Sequence, residues 1–295
     1  MSAAAGPSGA EGGRLYVVAT PIGNLGDVTL RAIELLRAVP LIAAEDTRLA
    51  RRLLDRHAIS TRTVSYHARS GPGRAAELLA HLRGGADLAL VTDAGTPGVS
   101  DPGDALVAAW AAEGGVIVPL PGASAVLAAV AGSGIAGPRW SFEGFLPRAG
   151  RERRDRLARI AADERGSVVF EASGRVAATL ADIAAACGPD RPAAVCRELT
   201  KRHEQIVRAP LADLAAMAAD GRIPARGEAV VVIGWRTATA GRVPAGAADA
   251  APDAIAAGRA EVAALVAGGL SRSDAARRIA ASTGLPRRRL YATRG

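Results

Sequence analysis

Carboxylates, glycines and prolines gather where apolar runs of this chain stop. VTDAGTPGVSDPG, Val91 to Gly103, continues the run LALV and carries Asp93 and Asp101; EDTR follows LIAA and brings Glu45, Asp46 and Arg48. RELTK, Arg197 to Lys201, sets a carboxylate, Glu198, among cations. Carboxylates at such positions orient or deprotonate a hydroxyl, and a neighbouring Arg or Lys holds an anion. Two further loops, TPIGNLGD (Thr20–Asp27) and PGAS (Pro121–Ser124), are rich in glycine and proline. Those residues fix the backbone and let it come close to a ligand. Neither loop has the G-x-G-x-x-G triplet of a dinucleotide fold or the lysine of a phosphate-binding loop, which disfavours a pyrophosphate cofactor. Backbone donors and acceptors with a few carboxylates suit a small zwitterionic ligand better.

The elements that must position these loops alternate along the chain. LYVVAT reads as a buried strand and DVTLRAIELLRAV as a helix; LIAAED, TRTVSYH, DLALVTD and VIVPL are further strands, each followed by a helical stretch. That rhythm predicts a parallel-rich sheet with helices on both faces, and all four loops then lie at its carboxyl edge, where ligands bind in α/β proteins. After Pro138 the strands come at shorter intervals, as SVVFEAS, AAVCRELT, HEQIVRA and GEAVVVIGW, so this half reads as mixed α/β. The expected organisation is a disordered tail over 1–13, α/β domains over 14–134 and 135–236, a linker of small residues over 237–254 and a small basic helical module over 255–295. Ser271 and Asp274 form a capping-box pattern within that module.

Composition narrows the class of protein. There are 37 Lys and Arg against 29 Asp and Glu, a net charge of +8, and Lys201 is the only lysine. Arginines cluster in RERRDR, with Arg151, Arg153 and Arg154, and near the end of the chain at Arg277, Arg278, Arg287, Arg288 and Arg289. Clustered guanidinium groups suit a phosphate backbone, so these residues are expected either to meet a nucleic acid or to form a solvated surface. Cys187, Cys196 and four scattered histidines make no metal-ligand spacing, and no metal is expected. Apolar runs are too short to span a membrane, and the start has neither the basic nor the apolar region of a secretory signal, so a cytoplasmic protein is expected.

LYVVATPIGNLGDVTLRAIELL, LIAAEDTR, VTDAGTPGVSDPG, PLPGASAV, FEGFLPR, RELTK and GEAVV, in this order, closely resemble the ribosomal RNA small-subunit methyltransferase I family, over roughly residues 15–235. The resemblance implies the tetrapyrrole methylase fold, with S-adenosylmethionine in a cleft between two α/β domains, and 2′-O-methylation of a cytidine ribose in 16S ribosomal RNA. It implies contacts to that cofactor from Pro21, Gly23 and Leu25, from Asp93, Thr96, Pro97 and Val99, and from Ala123 and Ser124. The second domain is expected to close the cleft with Phe170, Glu171 and Ala172 and with Glu228 and Ala229. For chemistry, Asp101 or Glu198 is expected to orient or deprotonate the hydroxyl, with Arg48 or Lys201 near the phosphates. The superfamily is commonly homodimeric, and a homodimer is expected here. The sequence departs from the family after SVVF: a tyrosine–glutamate pair and a histidine–arginine pair are usual, whereas Phe170-Glu171-Ala172-Ser173-Gly174-Arg175 keeps only the glutamate and the arginine. A small-molecule tetrapyrrole methylase and a non-catalytic RNA-binding relative are the alternatives.

Overall fold

Short runs of β-branched and aliphatic residues become the first sheet of the computed structural model, which describes residues 12–236, 252–283 and 290–291. β1 (Leu15–Val18), β2 (Leu41–Ala44), β3 (Thr63–Ser65), β4 (Leu88–Val91) and β5 (Ile117–Leu120) lie in the order β3-β2-β4-β1-β5, and every pairing is parallel. β2 and β4 are buried at every position, as expected of central strands covered on both faces. α1 (Leu30–Ala38) and α2 (Thr47–Arg56) cover one face through Leu36 and Leu54. α3 (Pro72–Arg83) and α4 (Asp104–Ala112) cover the other through Leu78, Leu82, Leu106 and Trp110. β1 and β4 are neighbours, yet the helices that follow them go to opposite faces. Their loops therefore part at the carboxyl edge and open a crevice there.

α5 (Ala125–Ser133) leaves this arrangement. Ser124 caps it by accepting from Leu127 N (3.4 Å), and Gly134 ends it in the left-handed region, φ 68°. Its apolar side chains Val126 and Ala129 pack on Val168, Ala194, Cys196 and Val230 of the second sheet. That sheet, in the order β6-β7-β10-β8-β9, comprises β6 (Trp140–Phe145), β7 (Gly166–Ala172), β8 (Pro192–Arg197), β9 (Gln205–Pro210) and β10 (Glu228–Ile233). Only β6 and β7 are parallel; the other pairs are antiparallel, as the short connections of this half require. α6 (Gly150–Ala162), α7 (Val176–Cys187) and α8 (Leu211–Ala219) cover its other face around Leu157, Leu180, Ile183 and Leu214. One helix of the first half thus roofs the sheet of the second, and both halves belong to one compact unit, Met1–Ala238.

A second unit, Thr239–Gly295, contains α9 (Pro252–Ala267) and α10 (Arg272–Thr283) around Val262, Ala275, Ala276, Ile279 and Leu290. α9 starts at Pro252, inside the stretch read as linker. Asp274 N donates to Ser271 Oγ (3.1 Å), the serine half of a capping box, while Asp274 Oδ2 accepts from the Ser271 hydroxyl (2.7 Å). No helix among the described residues is long and apolar enough to cross a membrane.

Candidate active site

The crevice is stitched at its base by backbone. Thr20 N donates to Gly95 O (2.8 Å) and Gly95 N to Thr20 O (3.0 Å), while Thr20 Oγ1 donates to Thr92 O (3.0 Å). Gly95 sits at φ 78°, a conformation that a side chain would strain. The loop after β2 joins in: Asp93 N donates to Glu45 Oε2 (3.3 Å) and Asp46 N to Asp93 Oδ1 (2.9 Å). Asp46 also caps α2, accepting from Arg48 N (2.8 Å) and pairing with the Arg48 guanidinium (2.6 Å), which holds its carboxyl down at about 2. Three loops from distant parts of the sequence are thereby locked into one rim.

Above it lies a cleft of about 210 Å³, walled by Gly95, Thr96, Val99, Ser100 and Asp101, by Ser124 and Ala125, and by Phe145, Phe170, Glu171, Glu228 and Ala229 from the second half. Of the residues expected at the cofactor, Thr96, Val99, Ser124, Phe170, Glu171, Glu228 and Ala229 line this cleft. Pro21, Leu25 and Asp93 line a smaller neighbouring cavity on the α2 side. Pro97 is buried, and Ala123 and Ala172 flank lining residues without reaching the cavity. Gly23 has a different role. A methyl group there would meet the Lys201 Cγ at 2.4 Å, so the RELTK turn of the second half lies directly on the β1 loop of the first. Gly23→Val is expected to push that turn away and weaken S-adenosylmethionine binding about tenfold, read by isothermal titration. Unchanged affinity would show that the turn does not shape the cleft.

RELTK is held tightly. Glu198 and Thr200 take φ of 50° and 66°, which costs energy in residues that carry a side chain. Lys201 Nζ bonds both Glu198 Oε1 (3.1 Å) and Glu228 Oε2 (2.8 Å), and Glu228 N donates to Glu198 Oε1 (2.9 Å). The Glu228 amide and then the Lys201 ammonium lower the Glu198 pKa, the wrong direction for a base at neutral pH. Glu198 and Lys201 are held with Glu228 in one clasp, an arrangement that favours a positioning role for both. Arg48 stays at the exposed rim, paired with Asp46.

Asp101 is the opposite case. Burial, then the charges of Glu45 and Asp93, push its carboxyl up to about 6. Only Thr92 opposes the rise, and its buried Oγ1 makes no hydrogen bond of standard geometry. Among the described residues Asp101 is the candidate whose basicity matches proton transfer near neutral pH.

The chain's three phenylalanines meet at Phe170, with the Phe142 and Phe145 ring centroids 4.9 and 5.5 Å from it, and Phe145 and Phe170 line the cleft. Reading from the sequence missed Phe145. The register of β6 slips between Phe142 and Gly144, and this bulge leaves Phe145 at the cleft wall, 55% exposed. Phenylalanines three apart in a strand, out of step with its two-residue period, were the available signal.

Of the arginines expected to meet RNA, Arg151 and Arg154 are exposed on α6, and Arg277 and Arg278 on α10, Arg277 pairing with Asp274. Arg287, Arg288 and Arg289 lie outside the described residues. Arg153 is a correction. It is 7% exposed and donates to Asp182 Oδ2 (2.7 Å), Pro147 O (2.8 Å) and Thr179 Oγ1 (3.1 Å), so it has no face left for a phosphate. Thr179 in turn donates to Glu171 Oε2 (2.6 Å), whose carboxylate is fully buried and also faces Arg175 at 3.4 Å.

The ionisable side chains lining the cleft are Asp101, Glu171 and Glu228, all acidic. Glu171 is buried against Arg175 and Thr179 and Glu228 pairs with Lys201, which leaves the Asp101 carboxyl to meet a cationic group in the cleft. S-adenosylmethionine, with a sulfonium and an amino group, fits this donor set.

A parallel sheet and a mixed sheet clasped around such a cleft define a class of methyltransferases. The model of the family described as Tetrapyrrole (Corrin/Porphyrin) Methylases matches residues 14–215. Within this class, the chain belongs to the ribosomal RNA small subunit methyltransferase I family. It is 46% identical to the member from Synechocystis sp. over 95% of this chain and 96% of that one. It is 42% identical to the member from Xylella fastidiosa over 95% and 98%. The fold also matches the crystal structure of uroporphyrin-III C-methyl transferase from Thermus thermophilus complexed with S-adenyl homocysteine. That match has a TM-score of 0.55 and 22% identity, covering 75% of this chain and 97% of that one. The chain is therefore an enzyme, a methyltransferase.

Proposed function

We propose that this enzyme methylates the 2′-hydroxyl of a cytidine ribose in 16S ribosomal RNA, with Asp101 as the general base. The observation that carries the reading is a half-buried carboxyl, poised at about 6, on the wall of a cleft formed by both sheets. When bound, S-adenosylmethionine supplies an electrophilic methyl for in-line displacement by the ribose oxygen. The loops around Gly95, Ser124 and Ala229 hold the donor by backbone contacts, and most of the acceleration comes from this positioning. Asp101 takes the hydroxyl proton as the oxygen–carbon bond forms, which a ribose hydroxyl needs near neutral pH. The Arg48 guanidinium at the rim and the exposed Arg151 and Arg154 of α6 track phosphates of the incoming strand. The enzyme acts in the cytoplasm as a homodimer, and the exposed Leu30 of α1 and Leu127 of α5, 79% and 57% accessible, are surfaces that pairing would cover.

The test is to incubate the protein with radiolabelled S-adenosylmethionine and unmethylated small subunits, naked ribosomal RNA, or a porphyrin precursor. Mass spectrometry of ribonuclease fragments then locates the methyl. Label on the ribose of one cytidine is the expected outcome. Label on a base, or on the porphyrin precursor, would overturn the reading.

A further inference from the structure

A second cavity, of about 590 Å³, lies beside the cofactor cleft on the β3 side. Its walls come from the loop after β3, with Tyr66 and His67, from the end of the β4 loop, with Ser100, Asp101 and Asp104, and from Glu45. Ser100 and Asp101 line both cavities and form the partition between them. A group held in the second cavity therefore reaches the cleft past the Asp101 carboxyl.

The polar inventory of this cavity is specific. Glu45 uses Oε2 for the Asp93 amide, while Oε1 makes no hydrogen bond. Tyr66 is 7% exposed, its ring lines the cavity, and its hydroxyl makes no hydrogen bond among the described residues, the accessible part of the side chain including that oxygen. An accessible hydroxyl on a cavity wall is free to donate to a ligand held there. The cavity thus offers carboxylate acceptors beside one hydroxyl donor. The complementary edge has an amine next to a ring acceptor, as cytosine presents; uracil presents a carbonyl where cytosine has its amine, and that oxygen would face a carboxylate.

We propose that this cavity receives the base of the acceptor nucleotide, Glu45 accepting from its exocyclic amine and Tyr66 donating to its ring. Sugar and base then divide between the two sides of the partition, with the 2′-hydroxyl left at Asp101. Burial, outweighing the Asp93 amide, raises the Glu45 pKa, so Glu45 is a carboxyl that gains from a donor brought by substrate. The proposal rests on the ribose-methylation reading above and adds to it where base selectivity resides.

The experiment compares kcat/KM on small subunits carrying cytidine or uridine at the acceptor position. The wild-type enzyme is expected to prefer cytidine roughly 10- to 100-fold, as bidentate base recognition allows. Glu45→Gln keeps an oxygen for the Asp93 amide but adds a donor that uracil accepts. It is expected to cut the preference at least about tenfold, chiefly by admitting uridine. Tyr66→Phe, which deletes only the hydroxyl, is expected to raise KM for the cytidine substrate about fivefold with cofactor affinity unchanged. An unchanged preference in Glu45→Gln together with an unchanged KM in Tyr66→Phe, both folded by circular dichroism and binding cofactor, would overturn the base pocket alone. No ribose methylation by the wild-type enzyme would overturn the underlying reading and the pocket with it.

Discussion

Asp101→Asn is expected to slow single-turnover methyl transfer about 10²- to 10⁴-fold, the range spanned by general-base catalysis, with cofactor affinity changed less than about threefold. Asparagine keeps the size and the hydrogen-bonding shape of the side chain but cannot take the proton. The same substitution is expected to stabilise the folded protein above pH 6. The folded-state pKa, about 6, lies above the usual 3.8 of an aspartate, so between those values the folded state binds more protons and stability falls as pH rises. Below pH 4 the carboxyl is neutral in both states and wild type and variant converge. Asp101 is partly solvated, and screening reduces the gain at pH 8 to on the order of 1 kcal/mol. Slower catalysis with a higher Tm is the signature of a carboxylate held in an unfavourable place for its chemistry. A variant that is slower and also less stable at pH 8 would make Asp101 a structural brace.

Arg153→Ala is expected to destabilise the enzyme by about 3 kcal/mol, roughly 6 to 12 °C in Tm, without being an RNA-binding defect in the folded protein. The guanidinium is buried while Asp182 is half exposed, so the loss falls short of that for a fully buried pair. Removing it also leaves Pro147 O without this donor and frees Thr179, which orients the buried Glu171 at the end of β7. Arg154→Ala, one residue on and exposed, is expected to leave Tm unchanged while lowering RNA affinity and reducing the salt slope by about one. Thermal melts and RNA titrations at several salt concentrations separate the two. Equal effects on RNA affinity, with no loss of Tm in Arg153→Ala, would restore Arg153 to the RNA surface.

Alternation of strands and helices was enough to anticipate the parallel sheet, its carboxyl-edge loops and the more irregular second sheet, because burial on both faces writes continuous apolar runs into β2 and β4. The Ser271 cap was legible because a capping serine and its backbone partner lie three residues apart. Burial inside RERRDR was not, although Arg153, Leu157 and Ile160 recur at helical spacing and all three face inward. A charged residue on an apolar stripe reads as surface until its partners, Asp182 and Thr179, are brought from a different helix. The clasp at Lys201 was hidden for a similar reason: Glu228 is distant in sequence and reaches it only through the pairing of β8 with β10. Phe145 depended on a bulge, and the division of labour between Asp101 and Glu198 depended on their surroundings, which residue type alone does not carry.

The most direct test of the central claim is the pH dependence of kcat/KM for S-adenosylmethionine with unmethylated small subunits as acceptor, since this ratio reports ionisations of the enzyme before the cofactor binds. The predicted profile rises tenfold per pH unit at low pH, bends near pH 6 and is flat above it in the wild type, and loses the bend in Asp101→Asn. A wild-type profile without that bend, or the same bend retained in Asp101→Asn, would contradict Asp101 as the base.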